Sequence, residues 1–106
     1  MLVAQLDHPG FSRFDFSSVR FGWCAGAPVA IELMNRVGEQ MGIRELTVVY
    51  GQTGASPLIT ASMMGDPQEL RVSTIGCAVP NTEIKIVSPS GETVPAGEQG
   101  EICTRG

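Results

Sequence analysis

Two short runs in the chain carry groups able to hold a ligand. Ala25-Gly26-Ala27-Pro28 consists of small residues, which let a flat molecule reach the backbone. Tyr50-Gly51-Gln52-Thr53 offers a ring for stacking, a glycine for close approach and a hydroxyl that can donate to a phosphate oxygen. Either run taken alone also reads as an ordinary tight turn. The other reactive groups lack company. His8, the single histidine, sits beside Pro9 and Gly10 with no orienting partner, and reads as a solvent-facing turn residue rather than a general base. Cys24, Cys77 and Cys103 lie far apart, form no C-x-x-C pair and are odd in number. Structural zinc and a disulfide framework are therefore poorly supported, and the three read as reduced, partly buried thiols of a cytoplasmic protein. Neither G-x-x-x-x-G-K-[ST] nor G-x-S-x-G occurs.

The elements that must position the two runs are legible around them. Val19 to Ala25 is short and apolar, as a buried strand is, and Gly26-Ala27-Pro28 breaks it. A helix is expected next, with Pro28 in its first turn, where a missing N–H costs nothing. Ile31, Met34, Val37 and Met41 recur at helical spacing and make one apolar face. Glu32 and Arg36 are placed to pair on the other face, and Gly42 to cap the end. Leu46 to Tyr50 is a β-branched run, read as a second buried strand. Two strands joined by a helix predict a parallel βαβ unit, and in open α/β sheets ligands bind beyond the carboxyl ends of the strands. Both runs fall there. Before this unit, Asp7 to Ser18 reads as an irregular lead-in pinned by Phe11, Phe14 and Phe16, and after it Gly51 to Pro57 reads as a loop. Farther on, Ile84 and Ile86 alternate with Glu83 and Lys85 as on a half-exposed strand, and Glu101 to Thr104 reads as its antiparallel neighbour. The expected class is α/β: residues 1–79 an α/β portion with the ligand loops, residues 80–106 a β-rich portion.

Composition narrows the partners. A chain of 106 residues fits one small domain or part of a larger one. Its 42% apolar content is that of a globular protein, and 13 Gly with 7 Pro imply many tight turns. The net charge is −4, Lys85 is the sole lysine, and no basic cluster interleaves with aromatics, which argues against nucleic acid. No apolar run reaches the ~18 residues that a membrane span needs. Residues 1–7 lack the basic flank of a signal peptide. The chain stops at Gly106, directly after a predicted strand. An edge left with unpaired N–H and C=O groups leads us to expect a piece of a longer protein.

Taken in order, the runs resemble the adenylate-forming superfamily, which includes acyl-CoA synthetases, luciferases and peptide-synthetase adenylation domains. Ala25-Gly26-Ala27-Pro28 is similar to its Gly-Ala-Pro element, and Tyr50-Gly51-Gln52-Thr53 to its Tyr-Gly-x-Thr-Glu element. Gly100 to Gly106 is similar to its Gly-Glu-(Leu/Ile)-x-x-Arg-Gly element. His8-Pro9, Phe14 to Arg20, and Arg71 to Gly76 resemble medium- and long-chain fatty-acid–CoA ligases, with ligases for other carboxylic acids next. The resemblance implies part of the large N-terminal domain of an enzyme that joins a carboxylate to ATP. An acyl-adenylate and pyrophosphate would result, and coenzyme A would then displace AMP. It further implies that Gly26, Ala27, Pro28, Tyr50, Gly51 and Gln52 hold the nucleotide. Thr53 would hold the α-phosphate where charge develops. Ala25, Gly26 and Gly51 would border the acyl pocket, and Arg105 would brace its strand.

Relatives of this kind also use an upstream phosphate loop, a downstream ribose-binding Asp and a lysine in a mobile C-terminal domain, and these 106 residues hold none of them. Lys85 lies in an alternating strand outside every matched run. The acidic magnesium ligand expected after Thr53 is Gly54, which has no side chain to ligate a cation. Two readings follow: a piece of an acid–CoA ligase that uses ATP, Mg2+ and coenzyme A, or a non-catalytic nucleotide-binding or scaffolding homologue that has lost the metal site.

Overall fold

Alternation, helical spacing and glycine punctuation are all realised in the computed structural model, which describes residues 1–106. Strand β1 (Phe21–Cys24) leads through helix α2 (Ile31–Met41) to strand β2 (Glu45–Gly51), and β1 and β2 pair in parallel, Phe21 opposite Glu45 and Cys24 opposite Val48. The sheet continues with β3 (Leu58–Ala61) and β4 (Cys77–Ala78), both antiparallel to their neighbours, in the order β1-β2-β3-β4. Helix α1 (Leu2–Leu6) precedes β1, and helix α3 (Gln68–Ser73) lies between β3 and β4. A separate two-stranded sheet pairs β5 (Glu83–Val87) with β6 (Glu101–Arg105), antiparallel. The architecture is therefore mixed α/β, a parallel pair extended by antiparallel strands.

The core is where the periodic positions meet. Leu6, Met34, Val37, Met41, Ile43, Leu46 and Val48 form one buried cluster, so the helical face joins the strand run as the spacing requires. Val37 is fully buried, and burying a side chain of this kind stabilises by about 1.5–3 kcal/mol. Gly42 ends α2 with φ 72°, a left-handed cap that glycine adopts without a Cβ penalty.

Several expectations are corrected. Pro28 is not in the first turn of α2: the helix starts at Ile31 after an extended Ala30, because the chain must first round the end of β1. Arg36 does not pair with Glu32; its guanidinium reaches Asp7 at 2.6 Å, where α1 packs on α2. Helix α1 and the 3-10 turn Phe11–Arg13 stand where little regular structure is expected. Phe11 and Phe16 do pack on the core, their rings stacked 5.1 Å apart, but Phe14 is 65% exposed. β1 is not a buried strand. It is the sheet's edge, and Phe21 and Trp23 alternate onto an open face, Trp23 being 66% exposed. Cys77 is exposed rather than partly buried, whereas Cys24 and Cys103 are half-buried. The Gly51–Pro57 loop contains the last residue of β2 and a 3-10 turn at Thr53–Ala55.

Candidate functional site

The parallel pair brings two chain ends side by side. β1 and β2 run the same way, so the residues after Cys24 and those closing β2 emerge at the same edge of the sheet. There they form one cleft of about 520 Å³. Gly26, Ala27, Pro28 and Val29 line one side; Val48, Val49, Tyr50, Gly51 and Gln52 form its floor; Val72, Ser73, Thr74 and Ile75 close the rest. Three segments distant in sequence thus share a single concave surface.

Local backbone chemistry explains the shape. Gly26 has φ +82°, a conformation that side-chain-bearing residues rarely adopt, and open space lies where its Cβ would be. The chain therefore turns away from β1 while leaving its backbone approachable. Gly51 has a different reason to be glycine. A Cβ there would lie 1.7 Å from the Pro57 carbonyl oxygen, where β2 is bulged against β3. Its bare backbone serves that strand crossing first and the cleft second. Tyr50, just before the bulge, is half-buried at the cleft floor.

The expected site residues divide into two groups. Gly26, Ala27, Pro28, Tyr50, Gly51 and Gln52 all line the cleft. Ala25 and Thr53 do not. Thr53 opens the exposed 3-10 turn just past the cleft, with Gly54 next to it. Nothing lies within 4 Å of where a Cβ on Gly54 would stand. Val29, Val48 and Val49 are cleft residues that strand and helix patterning assigns only to packing. The 72–75 wall is the larger omission. Its one signal in sequence is the Arg71 to Gly76 run, which carries likeness but no chemistry of its own.

The electrostatics of the cleft are mild. None of its lining residues is an Asp, Glu, Lys or Arg. No group of three His, Cys, Asp or Glu side chains is arranged to hold a metal ion. The residues present thus suit a flat, partly apolar ligand, while a divalent cation finds no carboxylate set on this chain. Burial pushes the Cys24 thiol above its usual range, which keeps it protonated beside the cleft. His8 is tied up locally, its Nδ1 accepting the Gly10 backbone N–H at 3.0 Å. Arg105 pairs with Glu83 across the β5–β6 ladder, with both side chains exposed.

A family profile described as "AMP-binding enzyme" matches residues 1–106. Among curated proteins, the chain is 48% identical over its whole length to YngI of Bacillus subtilis (strain 168), an acyl-CoA synthetase by name, covering 20% of that protein. It is 42% identical to the mitochondrial medium-chain acyl-CoA ligase ACSF2 of Danio rerio, again over the whole chain and 18% of the relative. The chain thus spans about a fifth of the length of these relatives. Among solved structures, the anthranilate CoA ligase AuaEII, determined with anthranoyl-AMP, superposes with a TM-score of 0.80 at 30% identity, over 98% of this chain and 19% of that one. The long-chain-fatty-acid-CoA ligase FadD1 of Archaeoglobus fulgidus gives a TM-score of 0.72 at 25% identity, over 88% of this chain and 20% of that one.

Proposed function

We propose that this chain, which belongs to the AMP-binding enzyme family along its whole length, is the nucleotide-holding part of a longer ATP-dependent acid–CoA ligase. The observation that carries this reading is the single cleft shared by the Gly26–Pro28 and Tyr50–Gln52 loops at the ends of parallel strands. Adenine would lie between the backbone of Gly26, Ala27 and Pro28 and the ring of Tyr50, with Gly51 and Gln52 beneath. The Thr53 hydroxyl, at the exposed mouth, would donate to the α-phosphate as charge develops there. Ala25, Gly26 and Gly51 would border the carboxylic acid. ATP supplies the AMP that activates the acid, and coenzyme A supplies the thiol that accepts the acyl group. The residues of this chain bind and orient; the phosphate loop, ribose acid and lysine would come from the rest of the parent. This chain offers magnesium no set of ligands, so an ion accompanying the ATP would be held by the rest of the parent.

Fatty acids are the proposed acids, supported by the names of the medium-chain and long-chain relatives. An aromatic or other carboxylate is second, supported by the likeness to the anthranilate ligase. We place the protein in the cytoplasm on the strength of its free thiols; no helix is long and apolar enough to cross a membrane.

The test uses the full-length parent protein. Acid-dependent exchange of pyrophosphate into ATP should occur, and Tyr50→Ala should weaken AMP binding by about tenfold or more, the scale of a lost stacking contact of about 1–3 kcal/mol. A second reading rests on Gly54: a homologue that binds nucleotide without catalysis. AMP binding with no exchange for any acid would select it. Unchanged AMP affinity in Tyr50→Ala would remove the cleft from both readings.

A further inference from the structure

Arg71 is the most buried charged residue of the chain, 4% exposed, and it stands immediately before the 72–75 wall of the cleft. Its Nη2 donates to Glu45 Oε2 at 2.8 Å, and its Nη1 to the Leu46 carbonyl at 3.3 Å, both at the start of β2. The same Glu45 oxygen accepts the Gly65 backbone N–H at 3.3 Å, joining the turn after β3 to the same point. Arg71 Nε is buried without a partner, so the side chain is kept in place despite a polar group left unpaired. Two further ties hold the other end of the wall. Thr60 Oγ1 donates to the Ile75 carbonyl at 2.5 Å, and a Cβ on Gly76 would fall 2.1 Å from the Ala61 backbone. The hydroxyl of Thr74 is spent internally, on the Leu70 carbonyl at 2.9 Å.

These contacts have a common outcome. The wall facing the two loops is fastened to β2 at its head and to β3 at its tail, and β2 itself closes on Tyr50 and Gly51. A planar guanidinium forked between a carboxylate and a carbonyl fixes both distance and direction, which an ammonium on a flexible stem does not. We propose that Arg71 is a positioning residue: it sets the distance of the Val72–Ile75 wall from the Tyr50 floor, and through that distance the fit of the acid in the cleft. The proposal rests on the acid–CoA ligase reading above and adds to it that the partly apolar 72–75 wall, which lines the same cleft, faces the acid bordered by Ala25, Gly26 and Gly51. Arg71 itself touches no reactant.

The experiment uses the full-length parent with Arg71→Met, Arg71→Lys and Gly42→Ala, the last a destabilising change at the end of α2, away from the wall. Steady-state kinetics on medium- and long-chain fatty acids are combined with hydrogen exchange of amides 72–76. Arg71→Met should raise the KM for the acid by about tenfold, about 1.4 kcal/mol of binding lost equally from the ground state and the transition state. Its kcat per folded enzyme should stay within about threefold, and amides 72–76 should exchange faster. Arg71→Lys should fall between wild type and Arg71→Met. Gly42→Ala should lower the melting temperature with the KM unmoved. A wild-type KM in Arg71→Met, or an equal KM rise in Gly42→Ala, would overturn the proposal and reduce Arg71 to a stabilising residue. Should Arg71→Met fail to fold, Glu45→Gln removes the charged half of the fork and must itself raise the KM. A wild-type parent that adenylates no acid would instead refute the ligase reading, and the proposal with it.

Discussion

Glycine stands at positions 51 and 54, and the two are opposite cases. At Gly51 an added methyl would meet the Pro57 carbonyl oxygen at 1.7 Å, backbone against backbone, with no flexible side chain to move aside. Gly51→Ala in the parent protein should therefore lose about 3 kcal/mol of stability, the upper end of overpacking costs, read as a lower denaturant midpoint. At Gly54 there is open space, so Gly54→Ala should leave that midpoint unchanged to within about 0.5 kcal/mol. The same open space admits a carboxylate. If the parent holds an intact phosphate loop and lysine, Gly54→Glu should raise the rate of adenylate formation, with an upper bound of about 2–4 kcal/mol of transition-state stabilisation. The gain should be largest at low magnesium, because the added carboxylate would fix an ion that water otherwise holds loosely. Identical rates across a magnesium titration would show that the residue after Thr53 has no part in metal binding here.

Among the elements, α2 supplies three of the seven residues of the main buried cluster, Met34, Val37 and Met41, and little of the electrostatics. Met34 is 2% exposed within the main cluster, whereas Arg36 and Asp7 form a half-exposed ion pair. Met34→Ala should cost about 2–5 kcal/mol, the lost transfer energy plus that of the cavity. Asp7→Ala should cost less than about 1 kcal/mol, because solvent screens the pair and the long Arg36 side chain loses freedom to form it. Thermal unfolding of the parent compares the two directly; an equal effect would mean that the Asp7–Arg36 pair stabilises as much as the burial of Met34. Strand alternation was legible for β5, where Ile84 and Ile86 face inward, because one face of a two-stranded sheet meets solvent. It misled for β1, where an apolar run looks the same whether both faces are covered or one is open.

At the scale of the whole molecule, this chain is drawn out. Its radius of gyration is 16.4 Å and its extents are 54 × 25 × 23 Å, against about 13 Å expected for a compact domain of this length. Only 14 of 106 residues are buried, and Phe21, Trp23, Met63 and Met64 are each more than half exposed. The 106 residues expressed alone should therefore associate on size-exclusion chromatography and melt without a single steep transition. A sharp monomer peak with a single steep unfolding transition would contradict this. The same isolated chain should not exchange pyrophosphate into ATP, since it contains neither the phosphate loop nor the lysine. Exchange above a blank that vanishes in Tyr50→Ala would overturn that expectation.

What the sequence by itself determined was local: the order of the two loops, the apolar face of α2, the cap at Gly42, and the βαβ unit that places both loops at one sheet edge. Each follows from spacing along a few consecutive residues, where backbone period and side-chain type act together. Only the tertiary structure decided which distant groups meet. Arg36 chose Asp7 over Glu32 because α1 packs there, and an exposed pair four residues apart has too little energy to compete. Gly51 is glycine because a bulge drives Pro57 against it. Arg71, polar and set among ordinary helix residues, is buried because β2 presents the Glu45 carboxylate and the Leu46 carbonyl to it. The wall it carries closes the cleft from a segment that no periodicity connects to the two loops, since a buried charge is specified by its partners and those partners are 25 and 26 residues away.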